Sequence, residues 1–313
     1  MGAFTVLSAD DLAEIAGRFH LGAVLDSWPI AAGTINSNFA AITERGSFFI
    51  RVNEGKAEAD VAWEAQLVSA LAGHGLKTPM PRTVDGAGYV RWRDKLVSVF
   101  PWVDGEHRLK VSRTTAKALG AQLATLHGIQ TALAPRVSIY DQDHLRRRYE
   151  GFAASTDPQL AGAIAILGEE LAATTAGTID APRGIIHGDL FRDNVLWDDA
   201  GRLVALLDFE QASGGLFAYD LAVCINDWCW DEAPRLDLAT ALLAGYESVR
   251  TLTDADKAAL PNEVRRAAMR FTITRITDVY LANVTNPDKD FRAFLARCEA
   301  WRGPALGQLR GLL

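Results

Sequence analysis

Cysteine is scarce in this sequence. Among 313 residues there are three, Cys224, Cys229 and Cys298, and no two of them form a Cys-x-x-Cys pair. An odd, unspaced set argues against a disulfide framework and fits reduced thiols in a cytoplasmic protein, with Cys224 packed in a core. Positive charge is also in short supply. Lys and Arg number 32 against 39 Asp and Glu, for a net charge of −7, and that balance argues against a basic nucleic-acid-binding face. Long apolar runs are missing too: no uninterrupted stretch approaches the ~20 residues of a membrane span. The opening MGAFTVLSADDLAEIAG places acids where a secretory leader has a basic end and an apolar run. What remains is ordinary globular material, 49% hydrophobic and 23% charged, with enough chain for a two-lobed unit and its cores. The expected partner is a small molecule, neither a nucleic acid nor a membrane.

Along the chain the texture changes once. Ser8 reads as the N-cap of a short helix to about Phe19, with Asp10 and Asp11 at its positive end. Strand-like segments follow from Val24. Asn38–Thr43 and Ser47–Val52 form a hairpin around Glu44-Arg45-Gly46, and a helix runs over Ala57–Ala72, ended by Gly73-His-Gly75. A second hairpin is expected, Arg82–Val84 with Tyr89–Trp92 about Asp85-Gly86, before a last strand at Lys95–Pro101. Beyond the polar joint Val103-Asp-Gly-Glu106 the pattern is helical, at Thr114–His127, Asp143–Phe152, Gln159–Ala173, Ala218–Trp230 and from Leu236 onward. One strand-rich island, Gly184–Phe209, interrupts it.

That island carries the chemistry. An apolar strand leads into His187-Gly-Asp189-Leu-Phe-Arg-Asp-Asn194, a second short strand follows, and Leu203-Val-Ala-Leu-Leu runs into Asp208-Phe-Glu210. The order His-x-Asp-x-x-x-x-Asn and then Asp-Phe matches the catalytic and metal loops of kinase-like folds. Phosphoryl transfer to an alcohol needs a proton acceptor beside the attacking oxygen, for which Asp189 is the candidate. It also needs Mg2+ on hard oxygen ligands, for which Asn194 and Asp208 are candidates. His187 is expected to be structural, hydrogen-bonded to loop backbone. Each fragment alone would suit an ordinary turn; the ordered set between apolar strands does not.

With those loops the chain resembles the choline/aminoglycoside phosphotransferase family, a relative of the protein kinases. Within it the homoserine kinases are most similar, on Asn36-Ser-Asn-Phe39, Val52-Asn-Glu-Gly-Lys56 and Ala218-Tyr-Asp-Leu-Ala-Val-Cys-Ile-Asn-Asp-Trp-Cys-Trp230. The resemblance covers nearly the whole chain. It implies an α+β, protein-kinase-like two-lobed fold. Residues 1–103 form a nucleotide-binding lobe with an antiparallel sheet and one helix, and 104–313 a mainly helical lobe for catalysis and the acceptor. It implies ATP and Mg2+, and phosphorylation of the homoserine hydroxyl in threonine biosynthesis. Gly33, Asn36, Ser37 and Asn38 would lie in the loop over the phosphates. Arg51 stands where the family has a phosphate-gripping lysine, with Lys56 as a nearby alternative, and Glu64 would pair with Arg51. The backbone around Phe100 and Val103 would meet adenine, and Asp220 would brace the catalytic loop.

The acceptor site is less defined by pattern. Asp227 and Trp228 are candidates for contact with the acceptor, Asp227 either for its ammonium or as an exposed acid. Arg275 either meets its carboxylate or pairs with Asp278, three residues on. Arg192 serves the carboxylate or the transferred phosphate. A choline or ethanolamine kinase would use Trp228 and Trp230 as a cation cage. A catalytically silent pseudokinase is the alternative of another class, opposed by the intact Asp189, Asn194 and Asp208. A Walker A loop is absent, and so are the clustered histidines of a metallohydrolase.

Overall fold

The computed structural model describes residues 5–30, 36–284 and 286–313. Helix α1 (Ala9–Arg18) opens as expected on Ser8, whose hydroxyl accepts the Asp11 N–H while the Asp11 carboxylate accepts the Ser8 N–H at 2.9 Å. Strands β1 (Val24–Ile30), β2 (Ser37–Thr43) and β3 (Gly46–Asn53) precede helix α2 (Glu58–Gly73), and β4 (Val90–Trp92) and β5 (Lys95–Pro101) follow it. They make one antiparallel sheet in the order β1-β2-β3-β5-β4.

The second expected hairpin is corrected. Asp85 and Gly86 do form a tight turn, with φ of 51° and 82°, but it closes a single bridge between Val84 and Ala87. Residues 90–92 pair instead with β5, through a turn at Arg93, whose φ is 52°. Hydrophobic alternation cannot choose between two nearby turns. The longer β5, already paired to β3, offers the ladder with more hydrogen bonds.

The rest is helical around a small strand platform. In order come α3 (Arg113–Gly128), α4 (Gln142–Glu150), α5 (Ala161–Ala176), β6 (Arg183–Ile186), β7 (Val195–Trp197), β8 (Leu203–Leu206), β9 (Ser213–Leu216), α6 (Phe217–Trp228), α7 (Leu236–Glu247), α8 (Asp254–Arg275), α9 (Arg292–Trp301) and α10 (Pro304–Arg310). The strand β9 extends the island beyond the expected Phe209. Its Ser-Gly-Gly sequence carries little strand propensity, and it is held by pairing with β6.

Two hydrophobic clusters form. The smaller lies between α1 and the sheet, with Leu12, Ile15, Phe39, Ile50, Val97 and Val99 at its centre. The larger gathers the helices around α6, and α2 contributes Leu67, Val68 and Leu71 to it. Each such buried side chain contributes ~1.5–3 kcal/mol over its exposed state. The helix that carries Glu64 is therefore anchored to the helical part of the molecule. All three cysteines are free and buried. Among the described residues no helix is long and apolar enough to cross a membrane.

Helix α3 packs tightly on α7. It crosses α7 backbone to backbone: a Cβ on Gly245 would stand 1.9 Å from the Lys117 carbonyl oxygen, and one on Gly120 would stand 2.0 Å from that of Leu242. No side-chain rotation relieves a clash with backbone. Gly245→Ala should therefore destabilise the protein by at least ~1–3 kcal/mol, read as a lower denaturant midpoint. An unchanged midpoint would contradict so close a crossing.

Candidate active site

The loop from His187 to Asn194 hangs between β6 and β7, and the loop from Leu207 to Ala212 between β8 and β9. The two strand pairs bring these loops side by side, and the Leu207 N–H donates to the Asn194 carbonyl at 2.9 Å. Asp220, on the first turn of α6 and fully buried, holds the catalytic loop by its backbone. Its Oδ2 accepts the His187 N–H and its Oδ1 the Gly188 N–H, both at 2.7 Å. Gly188 turns there at a φ of 76°, with Gln211 O only 2.9 Å from where a Cβ would be. The His187 imidazole spans the two loops, its Nε2 2.9 Å from Leu207 O and its ring against Phe209.

Asp189 is thereby presented at the loop surface, 29% exposed. Asn194 donates Nδ2–H to the Asp189 carbonyl at 2.7 Å, which leaves its amide oxygen to point elsewhere. Asp208 occupies the left-handed region, φ 61° and ψ 74°, a strained conformation for a residue with a side chain. The oxygens of Asp208, Glu210 and Glu64 come within 4.8 Å of one another. Two cations share that space. Arg51 Nη1 lies 3.1 Å from Glu64 and 3.0 Å from Glu210, and its Nη2 lies 3.9 Å from Asp208. Lys56 Nζ lies 2.8 Å from Glu210 and 3.5 Å from Glu64. Burial opposes the Arg51 charge, yet Asp208, Glu64 and Glu210 hold its pKa above the ordinary range. Glu64 and Glu210 are thus matched by cations, whereas Asp208 is the most open of the three acids. The hard oxygens of Asp208 and Asn194 on adjoining loops suit a magnesium ion.

The structure places the other expected residues as follows. Gly33 lies outside the described residues. Asn36 donates its amide to Glu210 and accepts the Glu54 N–H, and Ser37 donates to Glu54 at 2.7 Å. The loop expected over the phosphates is corrected at its end: Ser37 and Asn38 already belong to β2, held by pairing with Val52 and Arg51 of β3. Phe100 lies under Arg51, with Cζ 5.8 Å from its ring centre, and Val103 follows β5 where the chain leaves the sheet.

Of the acceptor candidates, Trp228 is corrected and the charged ones are found with partners of their own. Trp228 is fully buried, its indole N–H donating to Leu190 O at 2.9 Å and its ring edge-on to Trp197. It is a pillar beneath the catalytic loop and reaches no cleft, because α6 is buried nearly all round. Asp227 accepts the Arg192 N–H at 2.8 Å and Nε–H at 3.2 Å, so these two candidates neutralise each other. Arg275 does not pair with Asp278. It donates to Asp290 O at 3.1 Å and lies over Phe294, while Asp278 pairs with Arg148 at 2.5 Å.

Three residues of this site escaped the sequence reading. Glu210 was visible as an acid two places beyond Asp208. Arg270, 3.1 Å from Asp189 Oδ1, sits in the apolar stretch Met269–Ile273, where a lone charge is itself a signal. Arg136 had none. It reaches from the α3–α4 connection to the Ala212 carbonyl at 2.8 Å, to the Glu210 carbonyl and to Asp60 of α2 at 3.4 Å. It ties the metal loop to the helix that carries Glu64.

Asp189, Asn194 and Asp208 are thus carried on two adjoining loops joined by backbone hydrogen bonding. The sequence profile of the phosphotransferase enzyme family matches residues 28–252. The chain belongs to that family. It is 32% identical over 286 residues to a homoserine kinase from Gluconobacter oxydans (strain 621H), covering 89% of this chain and 90% of the relative. With a homoserine kinase from Afipia carboxidovorans it shares 36% over 287 residues, 89% of this chain and 87% of the relative. Its fold superposes on a spectinomycin phosphotransferase solved with ADP and spectinomycin, with a TM-score of 0.70 at 15% identity over 98% of both chains. The kinase-like two-lobed architecture of this phosphotransferase is therefore the one its loops imply.

Behind Asp220 the bracing continues. Arg250 Nη1–H donates to Tyr246 Oη at 3.1 Å, the Tyr246 hydroxyl to His127 Nδ1 at 2.7 Å, and His127 Nε2–H to Asp220 at 3.1 Å. Burial lowers the His127 pKa, against the pull of Asp220, so the imidazole stays neutral. Burial alone would raise the Asp220 pKa, but His127 and the loop N–H groups bring it below the ordinary carboxylate value. The unfolded chain binds a proton at histidine near the ordinary value of 6.5, and the folded protein binds it only at lower pH. Stability should then fall as the pH drops below about 6.5, with the Asp220 contribution lost only below the ordinary carboxylate value of 3.8. In His127→Gln the decline in Tm between pH 6.5 and pH 5 should be shallower than in the wild type. Parallel declines would remove His127 as its source.

Proposed function

We propose that this phosphotransferase is a homoserine kinase that moves the γ-phosphoryl group of ATP to the side-chain hydroxyl of L-homoserine, giving O-phospho-L-homoserine and ADP. The observation that carries the reading is the full-length likeness to homoserine kinases at 32% and 36% identity, joined to an intact Asp189–Asn194–Asp208 set.

Asp189 orients the acceptor hydroxyl and takes its proton as the oxygen–phosphorus bond forms and the bond to the ADP oxygen breaks. Asn194 and Asp208 hold Mg2+, which neutralises charge on the phosphate oxygens. Arg51 grips the α- and β-phosphates by its fork of donors, and Lys56, 2.8 Å from Glu210, is the second cation within reach. Glu64 and Glu210 keep Arg51 aimed into the cleft. Backbone at Phe100 and Val103 meets adenine, and Asn36 with the start of β2 at Ser37 and Asn38 lies toward the phosphates. Arg192 and Asp227, paired with each other, and the charge of Arg275 shape the acceptor end. A cage for a quaternary ammonium has little support, because Trp228 is in the core and Trp230 stacks on Arg297 at 4.7 Å.

The reading is tested by ADP release from Mg-ATP with L-homoserine, choline, ethanolamine, L-serine and L-threonine. Turnover with L-homoserine well above the rest is expected, and preference for choline would replace the acceptor. Asp189→Asn should lower kcat by roughly 10²–10⁴; near-normal turnover would unseat Asp189. Arg51→Ala should raise KM for Mg-ATP by at least ~10-fold, and an unchanged KM would transfer the role to Lys56.

A further inference from the structure

Arg270 is an arginine buried beside the catalytic acid. It projects from α8 with 3% of its side chain exposed, and Nη1 stands 3.1 Å from Asp189 Oδ1. Two rings fix its plane: Cζ lies 4.0 Å from the centre of Tyr140 and 3.8 Å from that of Phe271. Its Nε is buried with no hydrogen-bond partner. Among the described residues the guanidinium donates a single hydrogen bond, to Asp189.

That is an unusual state for this side chain. Guanidinium carries five donors and cannot escape burial by losing its proton. Its fork matches a carboxylate with two parallel bonds, yet Asp189 uses one. Rings clamp the plane, so the remaining donors keep a fixed direction at no further entropic cost. Nearby arginines are committed elsewhere. Arg275 donates to Asp290 O, Arg192 to Asp227 and to Leu109 O, and Arg297 to Asn226 O. None of them forms an ion pair with Asp189 among the described residues.

We propose that Arg270 recognises the carboxylate of an amino-acid acceptor while its Nη1 positions Asp189, so that one guanidinium aligns both the base and the substrate. An acceptor whose hydroxyl meets Asp189 has a carboxylate a few bonds away, within reach of the unused donors. Arg270 then sets the preference for a hydroxy amino acid over the same alcohol without its carboxylate. The inference rests on the homoserine reading and adds to it the group that enforces that choice.

The test compares kcat/KM for L-homoserine, L-homoserinamide and 3-amino-1-propanol in the wild type, Arg270→Lys and Arg270→Met, with KM for Mg-ATP as the check on folding. The wild type should favour L-homoserine over both carboxylate-free alcohols by roughly 10- to 100-fold, the scale of a hydrogen-bonded charge. Both variants should compress that preference, Met more than Lys, chiefly through a higher KM for L-homoserine. A purely positioning role predicts equal losses on all three acceptors, and that result overturns the proposal. So does a wild type that turns over the acid and its amide alike, a comparison that needs no variant to fold. Wild-type silence on L-homoserine with turnover of 3-amino-1-propanol would instead sink the homoserine reading itself, and this inference with it.

Discussion

The Asp220 carboxylate accepts two N–H groups from the turn that starts the catalytic loop, and most of the site's geometry descends from that contact. A loop between two short strands has no ladder of its own to hold it. Left alone, its backbone donors would be satisfied by water and its course would vary. A buried anion aimed at consecutive amides removes that freedom. The arrangement is stable only because the anion is itself satisfied, by His127 from the side, with Tyr246 and Arg250 behind. Loss of one member leaves a buried polar group unpaired, which costs more than the bond was worth.

The same economy of opposite charges governs the nucleotide side. Three carboxylates crowd around Arg51 and Lys56. Of these five groups, Arg51 comes from β3, Lys56 from the segment after it, Glu64 from α2, and Asp208 and Glu210 from the metal loop. The cluster therefore holds its shape only when both halves of the molecule are in place. Arg136 reinforces the junction from outside, tying Asp60 of α2 to carbonyls of the metal loop. Anchoring α2 in the larger core serves the same end. The site is thus complete only with the sheet docked on the helices.

Much of this was legible along the chain. Capping chemistry marked α1, alternation marked β2 and β3, and the spacing of Asp189, Asn194 and Asp208 located both loops. These signals are local, carried by residues a few places apart. The misreadings of the site were non-local, and one in the sheet was a choice between two short turns. Residues 90–92 took β5, across Arg93-Asp94, because β5 was already paired to β3. Trp228 looked available because aromatic residues serve both cores and sites, and only the packing around α6, buried on nearly every side, shows that it serves the core. Asp227 and Arg192 looked like separate ligands because 35 residues separate two groups that meet at 3.2 Å.

By itself the sequence determined the kind of chemistry and the order of the parts: an acid, an amide and a second acid on strand-flanked loops, in a chain without zinc-type or Walker-type alternatives. Only the tertiary structure decided which charges face the substrate and which cancel one another. Residue type and spacing specify what a side chain can do. Whether an arginine is free, paired or clamped depends on neighbours from distant segments, and their distances are set by helix packing around α6 and not by the local code.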